Sequence, residues 1–139
     1  LGREVPLHHT TMELGRTSIL AISALLALNA HAQGTIDPDF SVGTGANNRV
    51  SAAVLQNDGR VVIGGDFTLY NGTAINRIAR VNLNGSLDGG FTPGTGANLQ
   101  VNAVALASGG DIYIAGQFTS YNGTGRNRVA RLNSGLPMT

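Results

Sequence analysis

The sequence contains no cysteine, no lysine and no tryptophan. Without cysteine the chain can form neither disulfide bonds nor thiolate metal sites. Charged residues make up only 12% of the sequence, about half of the ~25% that is typical of soluble proteins. The formal net charge is +1, so there is no basic surface for nucleic acid and no acidic tail. These absences exclude a disulfide scaffold and argue against a nucleic-acid partner.

The side chains that usually act as acids and bases are confined to the start of the chain. Every histidine and glutamate precedes Gln33; they are Glu4, His8, His9, Glu13 and His31. A nucleophilic side chain needs an activating base, most often histidine. From Gln33 onward only aspartate, arginine and tyrosine remain as ionisable side chains, and the aspartates fall at turn positions. We therefore predict that the chain is not an enzyme and holds no cofactor or metal.

Residues 12–32 have the organisation of a secretory signal peptide. Arg16 supplies a weak positive charge, residues 18–28 form an apolar run, and the sequence Ala-His-Ala ending at Ala32 has the small-x-small pattern of a cleavage site. The run is well short of the ~20 residues that span a bilayer. We expect a signal-peptide helix cleaved between Ala32 and Gln33, no stable membrane span, and a secreted or cell-envelope location. Residues 1–11 show no periodic pattern and are interpreted as upstream, disordered sequence.

The rest of the chain contains one stretch twice. Residues 37–82, the first copy, align with residues 88–133, the second copy, at a constant offset of 51 residues, and 24 of the 46 aligned positions are identical. A fixed period near 50 indicates a copied supersecondary unit. We assign the first repeat to residues 33–87 and the second, truncated repeat to residues 88–139.

Each copy predicts three clear strands and a weaker fourth. Asp-Gly and Gly-Gly pairs join strands one and two, which favours a hairpin. The middle of strand two (VVIGG or IYIAG) is apolar or small on both faces, as in a sheet stacked between two others. We predict an all-β fold of two four-stranded antiparallel propeller-like blades, a partial β-propeller. The predicted strands cover residues 50–56, 60–68, 76–83 and the weak 86–91, with 101–107, 111–119 and 127–132 in the second copy, and 35–40 matching the weak strand.

The repeated positions resemble the delta-60 repeat, a β-propeller domain of unknown function. The resemblance covers about residues 35–133 and rests on four motifs with partners 51 residues on: F-x-x-G-x-G from Phe40, V-x-A-x-x-L from Val50, I-x-G-x-F from Ile63, and N-R-x-A-R from Asn76. It implies a secreted, bacterial-type protein with several blades. It carries no known catalytic residues.

The most regular charges in the repeat are four arginines, Arg77, Arg80, Arg128 and Arg131. Their spacing of three predicts that the two of each pair lie on opposite faces of a strand. They could form an anion-binding rim around a propeller channel, or tie each blade to the next through aspartate or backbone carbonyls. The repetition favours the inter-blade structural role, because every blade needs the same connection. Function is then expected where the copies differ: Asp58 against Gly109, Asp66 against Gln117, and Ile75 against Arg126.

These observations predict a non-catalytic secreted repeat module, a scaffold or binding surface within a larger extracellular protein. Its ligand is expected to be an extracellular protein or carbohydrate. The alternative is part of an extracellular carbohydrate-active propeller enzyme whose catalytic carboxylates lie in other blades. Propellers close with about 4–8 blades, so we expect further blades of a longer chain or self-association.

The signal-peptide hypothesis predicts the first residue of the exported chain. When the 139-residue chain is expressed in a secreting bacterium, we expect the exported product to begin at Gln33. Ala32→Arg should block processing, because a large charged residue does not fit a small-residue cleavage site, whereas Ala32→Ser should be processed. N-terminal sequencing and intact mass measure both outcomes, and export of an uncut chain would contradict the hypothesis.

Overall fold

The computed structural model describes residues 34–134 of the chain. The chain divides into two compact units, Leu1–Pro38 and Asp39–Thr139, and the strands of the repeat all lie in the second. Within residues 34–134 no helix is long and apolar enough to cross a membrane. The strands of this range are β1 (Val50–Leu55), β2 (Val61–Gly65), β3 (Leu69–Tyr70), β4 (Thr73–Ala74), β5 (Ile78–Val81), β6 (Val101–Leu106), β7 (Ile112–Gly116), β8 (Ser120–Tyr121), β9 (Thr124–Gly125) and β10 (Val129–Leu132).

Each copy folds into its own antiparallel sheet, and the two sheets have the same arrangement of strands. This agrees with the all-β prediction and with part of a propeller. The strand order is β1-β2-β5 in the first copy and β10-β7-β6 in the second. A two-stranded ribbon, β3-β4 or β8-β9, connects the second and third strands of each sheet. Asn71 and Gly72 turn the first ribbon, with φ of 46° and 77°. The sequence predicts this Asn-Gly turn but not the two-residue strands beside it.

The prediction of four strands in each blade is wrong for the described residues, because each sheet has three. Residues 86–91, expected as the fourth strand, contribute only an isolated bridge between Val81 and Leu87. The pairing ends at Asp88, whose side chain turns back to accept the N–H of Gly90 at 2.9 Å. This aspartate turn replaces an extended strand. Residues 35–40, the matching segment, also contain no strand.

A β-bulge explains why glycine ends the second strand of both copies. The pairing of β1 with β2 shifts between Val50 and Ala52, opposite Gly65. A Cβ on Gly65 would collide with the carbonyl oxygen of Arg49. Gly116 and the carbonyl of Gln100 repeat this close approach in the second copy. The I-x-G motif therefore records a backbone contact, since only glycine leaves room for the bulged strand.

The two sheets pack against each other through apolar side chains of both copies. This core contains Val62 and Ile78 from the first copy and Ala97, Val101, Ile112, Ile114, Phe118 and Ala130 from the second. A second core covers the opposite face of the first sheet and contains Ile63, Phe67, Tyr70, Ile75, Ala79 and Val81.

The predicted burial of strand two on both faces is confirmed for β2 and wrong for β7. In β2, Val62 is 0% exposed and Ile63, on the opposite face, is 8% exposed. In β7, Ile112 is buried, but Tyr113 is 41% exposed. The reason is that β2 lies between two apolar layers, whereas no described residue covers the outer face of the second sheet.

Some of the sequence predictions lie outside the described residues. They are the upstream segment 1–11, the signal peptide at residues 12–32 with its cleavage between Ala32 and Gln33, and the last five residues of the second repeat.

Candidate functional site

Hydrogen bonds join the first copy to the second at the loop before β6. Nδ2 of Asn76 donates to the carbonyl of Thr95 at 3.1 Å, and Nη1 of Arg77 donates to the carbonyl of Ala97 at 2.9 Å. Between them, a Cβ on Gly96 would collide with the carbonyl oxygen of Asn76. Glycine therefore permits the backbone approach that brings the two donors within reach. We call this contact between the two copies the joint.

Arg77 reaches the joint through an unusual backbone conformation. Its φ is 62°, and Arg128 repeats this with 71°, a left-handed geometry that costs a non-glycine residue roughly 1–2 kcal/mol. Two backbone hydrogen bonds hold it: the N–H of Arg77 donates to Phe67 at 2.9 Å, and the N–H of Gly65 donates to Arg77 at 3.0 Å. Because Arg77 precedes β5, the prediction that Arg77 and Arg80 alternate along one strand is wrong.

A second contact between the copies centres on the carboxylate of Asp88, which is only 8% exposed. Its Oδ2 accepts Nε of Arg80 at 2.6 Å and Nη1 of Arg60 at 2.7 Å. Its Oδ1 accepts the N–H of Gly90 at 2.9 Å. The guanidinium of Arg80 also lies over the ring of Phe91, 5.2 Å from its centroid. One carboxylate thus holds two arginines of the first copy at the start of the second.

Hydrogen bonding keeps both aspartates of this cluster ionised. Burial alone would raise the pKa of Asp88, but the hydrogen bonds from Gly90, Arg80 and Arg60 outweigh it and lower that pKa. The side chain and the N–H of Arg60 lower the pKa of Asp58. Oδ2 of Asp58 accepts Nε and Nη2 of Arg60 at 2.9 and 2.6 Å. Neither carboxylic acid is protonated near neutral pH, so neither is suited to donate a proton.

The other two predicted arginines lie on the outer side of the second copy. Nη1 of Arg128 donates to the carbonyl of Gln117 in its own copy at 3.0 Å. Nε of Arg131 lies 3.9 Å from Oδ2 of Asp111, and its side chain is 58% exposed. The structure therefore brings Arg77 and Arg80 to the boundary between the copies and leaves Arg128 and Arg131 at the surface.

The G-T-G-A-N loops are held by two asparagines of each copy. In the first copy, Oδ1 of Asn47 accepts the N–H groups of Thr68 and Leu69 at 2.8 and 2.9 Å, and Oδ1 of Asn71 accepts the N–H of Thr44 at 3.2 Å. Asn98 and Asn122 repeat these bonds in the second copy. Gly43 of the first loop has a φ of 60°, a left-handed conformation that glycine adopts without strain. The asparagines thus act as clamps on these loops, and the loop of the second copy contains the carbonyls of the joint.

A cleft of about 490 Å³ lies between the hairpin turns of the two copies, and we call it the turn cleft. Its walls include Gln56, Asn57, Asp58, Ser108 and Gly109. The amide oxygen of Gln56 is buried there, and no described group donates a hydrogen bond to it. A buried acceptor without a donor costs about 1–3 kcal/mol. Gln56 is thus a cleft residue whose amide oxygen has no donor among the described residues.

Another cleft, of about 390 Å³, lies beside Phe91 and Tyr121. Burial raises the pKa of Tyr121 to about 12. In the first copy the matching Tyr70 donates its hydroxyl to the carbonyl of Gly85 at 2.7 Å. The residue that matches Gly85 lies outside the described range.

The positions at which the copies differ do not converge on one site. Ile75 is buried in the core of the first copy, so it cannot contact a partner, while Arg126 is exposed and bonds to the carbonyl of Gly125. Asp58 anchors Arg60, and Asp66 lies 3.8 Å from Arg49.

Sequence reasoning did not single out Gln56, Arg60 or Asp88. Asp58 and Arg60 change together, to Gly109 and Asp111 in the second copy. The fact that these two residues change together was a signal of their ion pair that the sequence contained. Gln56 gave no such signal, because its match in the second copy is Ala107 and the sequence shows no other change that accompanies this one.

Two stacked antiparallel sheets of one repeated unit, with structural contacts at shared positions, are consistent with a β-propeller repeat. In agreement, the family model described as domain of unknown function (DUF5122) beta-propeller matches residues 56–91 and 110–135. This match supports a β-propeller repeat family for the chain. No curated protein and no solved structure matches the chain significantly.

The Asp88 cluster predicts a pH-dependent loss of stability. Asp88→Asn removes a charge that faces two guanidinium groups, so we expect the free energy of unfolding at pH 7 to fall by about 3 kcal/mol. The folded-state pKa of Asp88 lies below its usual 3.8. The charge therefore contributes fully above that value, and its contribution is lost as the pH falls through the folded-state pKa. Denaturant unfolding of both chains over this pH range measures the difference.

Asp66→Asn is the matched control. Its partner atom in Arg49 is 3.8 Å away, and the two side chains are 36% and 64% exposed, so we expect a loss below about 0.5 kcal/mol. If Asp88→Asn were as mild as Asp66→Asn, or if its effect stayed undiminished well below pH 3.8, the cluster would not hold the copies together.

Proposed function

We propose that this chain is a secreted, non-catalytic β-propeller repeat module that binds a polar, hydrogen-donating ligand in the turn cleft. The observation that carries the proposal is the turn cleft itself, with Gln56 in its lining and no described group donating to the amide oxygen of that residue. It lies where hairpin turns of two neighbouring blades meet. Loops at the end of a rigid sheet scaffold are a common place for binding sites.

The state of the carboxylates supports a binding module over an enzyme. A glycosidase needs one carboxylic acid that donates a proton and one carboxylate that attacks or activates water. Asp58, the carboxylate of the turn cleft, accepts hydrogen bonds from Arg60 on both oxygens. Its lowered pKa keeps it ionised and unsuited to general acid catalysis. The carbohydrate-active alternative would need carboxylates from other blades.

The lining of the turn cleft favours a ligand recognised by hydrogen bonds. Asn57 and Ser108 contribute an amide and a hydroxyl, and among the described lining residues none is aromatic. The donors that fit Gln56 are the N–H groups of an extended protein segment or the hydroxyl groups of a carbohydrate. Both belong to the ligand classes expected outside the cell.

Export and family are further parts of the proposal. Residues 12–32, with their apolar run and small-x-small site, support secretion or placement in the cell envelope. The repeated Phe40, Ile63 and Asn76 motifs support the delta-60 repeat as the type of blade. The asparagine clamps and the joint support a scaffold role for the shared residues, with Arg77 and Arg80 connecting the blades.

Gln56→Leu tests the binding role. It removes the acceptor but keeps a side chain of similar size, so we expect ligand affinity to fall about tenfold, as for one lost hydrogen bond. The free energy of unfolding should stay level or rise by up to about 1 kcal/mol, because an unsatisfied buried acceptor is removed. An array of defined glycans and an array of extended peptides, probed with the purified chain, identify the ligand class and measure binding.

Gln117→Leu, at an exposed position of the second copy, is the matched control and should bind like the original chain. Equal binding by the Gln56→Leu chain would reject the turn cleft. A clear loss of stability in that chain would show that Gln56 has a structural role instead. Failure to bind either array would reject both proposed ligand classes.

A further inference from the structure

The two copies have equivalent faces, but the exposure of those faces differs. Val101 of the second copy is 0% exposed, whereas the matching Val50 is 43% exposed. Conversely, Ile78 is 0% exposed, whereas the matching Val129 is 58% exposed. The difference arises because Val101 and Ile78 share the core between the copies. The equivalent of each buried face is therefore exposed at the opposite end of the pair.

The face of the first copy that carries Val50, which we call the front face, has an apolar cleft of about 240 Å³ beside the second core. Its lining includes Phe40, Val42, Val50, Val61 and Ile63. Phe40 is 42% exposed and Val42 is 37% exposed. A contiguous apolar patch on a folded unit commonly marks an interaction surface.

The exposed face of the second copy, the back face, carries the same kind of donors as the joint. Asn127 and Arg128 match the two donors of the joint, and both are exposed. The matching carbonyls on the front face belong to Thr44 and Ala46. Gly45 lies between them and supplies the glycine that the close backbone approach needs.

The arginine–aromatic contact between the copies also has an exposed equivalent. Inside the pair, the guanidinium of Arg80 lies 5.2 Å from the ring centroid of Phe91. The matching residues are Arg131 on the second copy, with a side chain 58% exposed, and Phe40 on the front face. The apolar, hydrogen-bonding and cation–π parts of the buried interface thus all recur on the two exposed faces.

Side-chain volumes on the exposed faces compensate for one another. Between the copies, Gly64 leaves room for two valines: a Cβ there would lie 2.7 Å from Cγ1 of Val101 and 2.8 Å from Cγ2 of Val104. The back face has Ala115 in place of this glycine, and the front face has Ala53 in place of Val104. One methyl group is added at Ala115 and two are removed at Ala53, which relieves one of the two valine contacts, while Val50 keeps the valine that matches Val101.

We propose that a second copy of this chain docks head to tail, with the back face of one molecule on the front face of the next. The partner is a second copy because the interface between the two repeats already shows which surface covers each face. Head-to-tail contacts of this kind close into rings when the rotation allows. This association does not depend on the ligand proposed for the turn cleft.

Two complementary variants of the 139-residue chain test this docking. Val50→Asp disables the front face, and Val129→Asp disables the back face, because each places an unpaired charge in an apolar contact. We expect the dissociation constant of each variant to rise by roughly 100-fold or more. In sedimentation velocity at micromolar concentration, the original chain should be larger than a monomer and each variant should be monomeric. An equimolar mixture should form dimers and nothing larger, since each variant retains the face that the other lacks.

Leu83→Asp is the control, because Leu83 is 70% exposed and lies in a turn outside both faces. It should keep the size of the original chain. The proposal is overturned if the original chain is monomeric, if either variant keeps its size, if the mixture stays monomeric, or if the control dissociates. Circular dichroism checks the folding of each variant, and Val50→Ser and Val129→Ser replace any aspartate variant that loses its β signal.

Discussion

The close approach of two backbones at Gly96 is the constraint on which the pair of repeats depends. A side chain there would meet the carbonyl of Asn76, and the donors of Asn76 and Arg77 would no longer reach their carbonyls. The left-handed backbone of Arg77 and the asparagine that clamps the receiving loop, Asn122, serve the same contact. Several residues that look like a motif in the sequence are thus the parts of one backbone contact. Their repetition follows from the need to connect every blade in the same way.

The low charge of the chain gives its few ion pairs a structural role. Asp88 sits at the start of the second copy and accepts hydrogen bonds from Arg80 and Arg60 of the first. Burial of a carboxylate destabilises a fold unless its oxygens accept hydrogen bonds. Both oxygens of Asp88 do so, from the two arginines and from the N–H of Gly90. The cluster therefore fixes the position of the second copy relative to the first. The same hydrogen bonds lower the pKa of Asp88 and keep this buried carboxylate ionised, so it is not suited to donate a proton.

Much of the fold was readable from the sequence, whereas of the contacts between the copies only the involvement of Arg77 and Arg80 was predicted. Periodicity and turn glycines predicted the sheets around β2 and β7, because alternation and Asn-Gly or Asp-Gly turns act locally. A fourth strand was predicted wrongly because the Asp88 side chain accepts the N–H of Gly90 and forms a turn there. The alternation of apolar and polar residues does not reveal this local hydrogen bond. The exposure of Tyr113 depends on which neighbour is present, so no local pattern predicts it. The orphaned acceptor of Gln56 depends on packing and was invisible for the same reason.

The central claim is that the two copies form one folded unit through the joint and the shared core. Scanning calorimetry of the chain tests it most directly. One cooperative transition is expected for the repeat, because Val62 and Ile78 of the first copy are buried against the second. Arg77→Ala should move that whole transition to a lower temperature. Two independent transitions in the original chain, one for each copy, would contradict the claim.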